Sequence, residues 1–224
     1  MPNDISAFFT SEVAKLKEMS FKEKISYIWE YYKYFIIGFV IVMVLIANIV
    51  NAILHPPKDN FAHLIFYGGY VDELVAEELK NELAAALMTE EERLTGDIYY
   101  TNILLASGDI QIDMANRQKF AAMIAAQELD ILLINENELS ANIEQGMCMP
   151  LGEVLGEDLS KYSDKLITST FEGVEAPYAI KTQGNKFFER DGVYIENMCL
   201  AVIINTKNLE HVREIIDYLE GYYD

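Results

Sequence analysis

The three histidines of the chain are the first candidates for catalytic or metal-binding chemistry. His55, His63 and His211 lie far apart in the sequence, and none belongs to an HExxH zinc motif. The chain also lacks a GxSxG nucleophile turn, a phosphate-binding P-loop and a CxxC redox pair. We therefore predict that the protein is not an enzyme and that it carries no cofactor.

Four acidic side chains could approach one another where predicted strands end and helices begin. They are Asp109, Asp113, Glu136 and Glu138. Carboxylate oxygens are the ligands that Ca²⁺ prefers, but the residues lack the regular spacing of a calcium-binding loop. The alternative, a solvated acidic rim, is favoured, and we predict no metal site.

Glycine and polar residues follow three predicted strands of the domain. In an open α/β sheet the ligand crevice lies beyond the carboxyl ends of the strands, so these residues would meet there. The candidate ligand-binding residues are Tyr67, Gly68, Gly69, Ser107, Gly108, Asn135 and Glu136. They would bind a small molecule or a peptide, although such residues also end strands that bind nothing.

The two cysteines, Cys148 and Cys199, are too few for a disulfide framework or a cysteine-rich zinc module. Both follow the apolar segment described next, in a part of the chain where oxidation is possible. A disulfide between them would need Cα atoms within about 7 Å. Two buried, unpaired thiols are the alternative, and the sequence leaves both open.

A single apolar segment explains why a strongly acidic chain has a mean hydropathy of +0.08. Residues 35–54 contain no charge over 20 positions, which matches the length of a membrane-spanning helix. The net charge of −19 lies after it, since residues 55–224 hold 12 basic and 31 acidic residues. A nucleic-acid partner is excluded, because no positive surplus is present to displace phosphate counterions.

The flanks of this segment predict its orientation. Five lysines precede it, so the N-terminus should be cytoplasmic and the following domain extracytoplasmic. The segment is too long for a typical cleaved signal core, which favours an uncleaved signal anchor at the cell membrane.

The sequence contains a second candidate for the first translated residue, Met19, besides Met1. The predicted parts are a cytoplasmic segment 1–34 with a juxtamembrane helix capped by Ser20 and Glu23, the span 35–54, a linker 55–60 and an extracytoplasmic domain 61–224.

The domain alternates between short apolar runs and amphipathic stretches. Strands are expected at 61–66, 97–106 and 129–135, with helices at 72–88 and 113–128 between them. Strand–helix–strand repeats at this spacing imply right-handed crossovers. We predict an α/β fold with one open, mixed, mainly parallel sheet and flanking helices.

Four stretches in order resemble extracellular solute-binding proteins of the maltose-binding type. They are Asp113–Asn135, Asn142–Leu151 (NIEQGMCMPL), Ala176–Ile180 (APYAI) and Ala201–Leu209 (AVIINTKNL). The anchor is similar to those of small Gram-positive membrane proteins that carry such domains. The resemblance implies a membrane-tethered domain with a binding or sensing role.

The resemblance covers only one lobe of a two-lobed fold. In the family the second lobe is inserted between the PYA-like strand and the return strand, but here 21 residues separate Ala179 from Ala201. A single βαβ unit already needs about 30 residues. A ligand clamped between two lobes is therefore not expected.

Two functions remain open on the sequence. One is a solute-binding-like module that binds or senses a small molecule or peptide, together with a membrane-protein partner. The other is a structural or assembly subunit of a membrane complex without a small ligand. A polar cleft at the strand ends would favour the first, and a filled strand-end face beside exposed apolar residues would favour the second.

Overall fold

A computed structural model describes residues 20–54, 58–105 and 108–223 of the chain. The chain divides into two compact units, residues 1–57 and 58–224. The first strand of the second unit begins at Asp59, within the segment 55–60 that the sequence predicts as a linker.

The first unit is represented by one long helix, α1 (Phe21–Leu54). It begins with the predicted capping box, in which the Ser20 backbone N–H donates to Glu23 Oε2 at 2.8 Å and the Glu23 N–H donates to Ser20 Oγ at 3.5 Å. Its 34 residues give a length of about 51 Å at 1.5 Å per residue. Within Trp29–Ile53, an 18-residue stretch has a mean hydropathy of 2.7. This helix is compatible with a single-pass membrane anchor or a signal sequence.

The second unit contains nine strands and six α-helices among its described residues. The strands are β1 (Asp59–Tyr67), β2 (Tyr70–Val71), β3 (Gly96–Ile103), β4 (Ile131–Asn135), β5 (Cys148–Met149), β6 (Leu166–Phe171), β7 (Val174–Lys181), β8 (Val193–Tyr194) and β9 (Met198–Ile203). The helices are α2 (Glu73–Leu87), α3 (Glu90–Thr95), α4 (Ile110–Ala125), α5 (Glu136–Glu144), α6 (Leu151–Leu155) and α7 (Leu209–Glu220), with a 3₁₀ helix at Gly156–Tyr162.

Seven of these strands form one mixed sheet in the order β3-β1-β4-β9-β7-β6, with β5 also paired to β9. The pairs β1–β3 and β1–β4 are parallel, and the pairs that β9, β7 and β6 make are antiparallel. Five strands therefore run in one direction, and β6 and β9 run in the other. The predicted α/β fold with a mixed sheet and flanking helices is confirmed.

The sheet is buried on both faces, as its central apolar strands predict. Side chains alternate between faces along β1, so that Leu64 and Phe66 join one core while Ile65 and Tyr67 join the other. The first core is covered by α2 and α7, and the second by α4 and α5. These helices fix the ends of the strands, where the candidate site lies.

The two cysteines lie buried in the second core as free thiols, so the possible disulfide between Cys148 and Cys199 is not formed. The Cys199 Sγ donates a hydrogen bond to the Ile134 carbonyl at 3.3 Å. Burial raises the pKa of each thiol to about 12, which keeps both protonated and unreactive.

This burial predicts the reactivity of the two thiols. In the folded, full-length protein at pH 8, a disulfide reagent such as DTNB should release less than about a tenth of its chromophore, because the thiolate is the reacting species. In denaturant, both thiols should react at once. A protein with no free thiol after unfolding without reductant would contradict this, since it would show a disulfide.

Candidate functional site

The edge of the sheet where the parallel strands end has the geometry of a ligand crevice. Strand β1 lies between β3 and β4, so the chain leaves β1 to one side and later crosses to the other. Such a switch point opens a crevice beyond the carboxyl ends of the two strands, here β1 and β4. The register aligns Tyr67 with both Ile103 and Ile134, so all three strand ends meet at this edge.

The predicted ligand residues that the structure describes lie at this edge of the sheet. Tyr67 and Asn135 are the last residues of β1 and β4, and Gly68, Gly69 and Glu136 follow these strands. Gly108 precedes α4 in a left-handed conformation with φ of +85°. Ser107 lies outside the described residues.

The crevice is filled by the chain itself, through residues 182–197, which connect β7 to β9 and are called the cap here. Strand β8 of the cap pairs antiparallel with β2, just beyond the end of β1. The cap packs directly on Gly69, where an added Cβ would lie 2.4 Å from Ile195 Cγ1 and 2.7 Å from the Tyr194 carbonyl oxygen. Only glycine allows this close approach of two backbone segments.

The cap also uses the polar groups at the end of β4. The side-chain amide of Asn135 donates to the Glu196 carbonyl at 2.6 Å, and the Glu136 backbone N–H donates to the Asn197 carbonyl at 3.1 Å. These groups, which the sequence assigned to a ligand, thus have partners within the chain. The cap lies within the 21 residues that separate Ala179 from Ala201.

Buried contacts attach the cap to the rest of the domain. The Asn185 side chain donates to the Leu219 carbonyl at 2.9 Å and accepts from the Phe187 N–H at 3.0 Å. Phe187 is fully buried in the first core. Asn185 is buried with it, so the hydrogen bonds offset the cost of removing its amide from water.

An ion pair fixes the cap to α2. The guanidinium of Arg190 donates to Glu82 Oε2 at 2.7 Å, and the Tyr222 hydroxyl donates to Glu82 Oε1 at 2.6 Å. Burial acts to raise the pKa of Glu82, but the hydrogen bonds from Tyr222 and Arg190 outweigh it and hold the pKa below its usual value. The carboxylate therefore stays charged and keeps both partners.

A second polar cluster lies beside the end of β1, on the opposite face from α2. Arg117 of α4 donates to the Tyr67 hydroxyl at 3.3 Å and lies 3.9 Å from a carboxylate oxygen of Glu138. Burial raises the pKa of Tyr67, with the charge of Arg117 opposing it, so the phenol stays protonated. Arg117 is not among the predicted site residues, because only the packing of α4 brings it to Tyr67.

A cavity of about 380 Å³ remains between the cap and the ends of β7 and β9. Its polar lining includes Thr182, Glu189, Arg190 and Asn197. Three of these side chains already have partners. The Thr182 hydroxyl donates to the Met198 carbonyl at 2.8 Å, Glu189 accepts from the Gly184 N–H at 2.7 Å, and Arg190 binds Glu82. The cavity is thus a space beside the filled crevice, with a lining largely engaged in holding the cap.

Exposed apolar side chains occur in and beside the elements that begin or end at this edge of the sheet. Leu74 at the start of α2 is 80% exposed and Ile110 at the start of α4 is 78% exposed. The full set, called the apolar rim, is Tyr70, Leu74, Leu104, Ile110, Ile112, Met114 and Tyr194. Leu104 directly follows β3, and each of the others lies in an element that begins or ends at the carboxyl edge. Exposed apolar clusters of this kind mark binding surfaces in soluble domains.

The acidic residues considered for calcium lie at the same edge without forming a site. Within the described ranges, no group of three His, Cys, Asp or Glu side chains is placed to hold a metal ion. Asp109 caps α4 by accepting from the Gln111 N–H at 2.8 Å, and Glu138 lies beside Arg117.

Comparisons of this chain with protein-family models, with curated proteins and with solved structures found no match.

Proposed function

We propose that this protein is a membrane-anchored, extracytoplasmic docking module that binds another protein and catalyses no reaction. The observation that carries the proposal is the filled crevice between β1 and β4, with the apolar rim at the same edge of the sheet. A solute could enter this crevice only if residues 193–197 left Gly69, Asn135 and Glu136. A protein partner needs no such opening, because the rim is already exposed.

The anchor and the single lobe support this function together. The uncharged span 35–54 and the lysines before it favour a fixed position on the outer face of the membrane. A one-lobed relative of solute-binding proteins, whose cap replaces the second lobe, keeps a rigid sheet edge but no clamp. Such a domain suits assembly with other membrane proteins.

Solute binding is the second candidate, and the 380 Å³ cavity favours it. The side chains of Gln183 and Asp191 line this cavity beside Arg190, so a small polar molecule would find charged and amide groups there. This candidate places the ligand under the cap and not on the rim, so the two functions respond to different substitutions.

The rim is tested by comparing two equally exposed leucines. Leu74 belongs to the rim, and Leu94 of α3, which is 79% exposed, lies at the opposite edge before β3. We expect a photo-crosslinking residue at position 74, in the full-length protein in its native membrane, to give a discrete crosslinked species that position 94 does not give. The double variant Leu74→Asp, Ile110→Asp should reduce co-purification of that partner at least tenfold, while Leu94→Asp should not.

Equal crosslinking at positions 74 and 94, or co-purification that survives the double rim variant, would contradict docking through the rim. Loss of a bound solute in Arg190→Gln, with intact crosslinking, would instead support the second candidate. Circular dichroism of each variant checks that the fold is kept.

A further inference from the structure

The apolar helix α1 carries two polar side chains that docking through the rim does not use. Asn48 and Asn51 are the strongly polar residues of the uncharged span 35–54. They are three positions apart, so they lie on one face of the helix, and both are exposed there. Asparagine side chains within membrane spans form hydrogen bonds between neighbouring helices.

The lysine before the span indicates the depth of these asparagines in the proposed membrane anchor. Lys33 is the last charged residue before the span, and a lysine keeps its ammonium at the level of the headgroups. At about 1.5 Å per residue, Asn48 lies about 22 Å and Asn51 about 27 Å along the helix from Lys33. The hydrocarbon core is about 30 Å thick, and a tilt of the helix would move both residues farther from its opposite surface. Both amides are therefore expected inside the hydrocarbon.

The hydrogen bond that Asn48 makes within its own helix leaves part of its amide for a partner. The side-chain nitrogen of Asn48 donates to the Val44 carbonyl at 2.8 Å. An asparagine side chain offers two N–H donors and one acceptor oxygen, so this bond uses only one donor. In hydrocarbon a polar group without a partner is costly, because no water is present to satisfy it. A neighbouring helix that bonds to Asn48 would remove this cost.

The apolar residues before Asn48 continue its face along the helix. Successive steps of four and three residues connect a set that we call the span seam, which is Ile37, Ile41, Val44, Asn48 and Asn51. This is the heptad spacing of helices that pack side by side at a crossing angle of about 20°. In such a seam one polar position fixes the register of the helices. The span seam thus combines apolar packing with two hydrogen-bonding positions.

We propose that the span seam binds the span seam of a second copy of this chain. An asparagine amide both donates and accepts, so it is complementary to itself. Two copies inserted in one orientation hold Asn48 at a common depth, and the same is true of Asn51. A helix of another protein would need polar groups at both of these depths. The inference rests on the membrane span of the proposed function and is independent of docking through the rim.

The test uses the full-length protein in the membranes of cells that express two differently tagged copies. Position 44 lies on the span seam, whereas position 46 lies about 200° around the helix, on the opposite face. With copper phenanthroline as oxidant, we expect Val44→Cys to give at least tenfold more disulfide-linked dimer with both tags than Ile46→Cys gives. Cys148 and Cys199 are buried, so the unmodified protein should form no such dimer.

Two pairs of leucine substitutions test the asparagines. In the Val44→Cys protein, Asn48→Leu together with Asn51→Leu should reduce the dimer at least fivefold, because the hydrogen bonds between the copies are lost. Met43→Leu together with Val50→Leu changes two residues of the opposite face and should leave the dimer unchanged. The double rim variant should also keep the crosslink, which separates self-association from docking.

Alkaline carbonate extraction distinguishes failure of this inference from failure of the membrane anchor. Protein that carbonate releases would overturn the anchor, and self-association with it. Protein that stays in the membrane but crosslinks equally at positions 44 and 46 would overturn self-association alone. A dimer that persists when both asparagines are replaced by leucine would also overturn it, since the amides would then be solvated at the membrane surface.

Discussion

Replacing Asp130 with alanine should lower the free energy of unfolding of the domain by at least about 3 kcal/mol, because hydrogen bonds to charged groups each contribute about 1.5–3 kcal/mol. The buried carboxylate of Asp130 accepts from two side-chain amides, one hydroxyl and one backbone N–H. Alanine leaves these four donors without an acceptor. The backbone N–H of Asp130 also donates to the His63 carbonyl, and the alanine variant keeps that hydrogen bond.

Urea unfolding of the full-length protein in detergent, followed by near-ultraviolet circular dichroism, measures this loss. Asp130→Asn should cost less than alanine, because the amide keeps one acceptor oxygen. Asp164→Ala is the matched control, since its carboxylate is exposed and forms only a surface pair with Lys165 at 3.4 Å. The control should stay within about 0.5 kcal/mol of the unmodified protein. A cost below about 1 kcal/mol for Asp130→Ala would show that water replaces the lost acceptor.

The same region shows what the sequence could predict about the sheet. The run Leu129–Asn135 is apolar on both faces, which predicted a central strand, and β4 does lie between β1 and β9. The strand begins at Ile131, two residues later than predicted. Asp130 nevertheless bonds through its backbone to His63 of β1 and Ile203 of β9, and its side chain accepts from donors in neighbouring segments. The pattern of apolar residues in the sequence predicts which of them are buried, but it cannot predict that a carboxylate such as Asp130 is buried among them.

The cap shows why the candidate site could be predicted only in part. The predicted ends of β1 and β4 agree with the structure to within one residue, whereas β3 ends at Ile103 and not at 106. The sequence also indicates that 21 residues are too few for a second lobe. It could not predict that these residues fold back over Gly69 and Asn135. That contact depends on backbone groups, such as the Glu196 carbonyl, which carry no signal of residue type. Whether the predicted residues bind a ligand stays a prediction.

Gly69→Ala should detach the cap and lower the free energy of unfolding by about 2–3 kcal/mol, which is typical of adding atoms to a tightly packed site. The added Cβ would meet the Ile195 side chain, which can rotate away, and also the Tyr194 carbonyl oxygen at 2.7 Å. The second contact is with backbone, so it can be relieved only by moving residues 194–195. That movement breaks the pairing of β2 with β8 and the hydrogen bond from Asn135.

Limited trypsin digestion of the full-length protein reports this detachment directly. The cap contains Lys186 and Arg190, so Gly69→Ala should be cut there at least tenfold faster than the unmodified protein. Gly152→Ala is the matched control, because an added Cβ on this exposed helical glycine meets no atom within 4 Å. If the cap is a permanent part of the fold, the control and the unmodified protein should both resist cleavage. Equal cleavage of all three would mean that the cap already opens in solution, and the crevice would then be accessible to a solute.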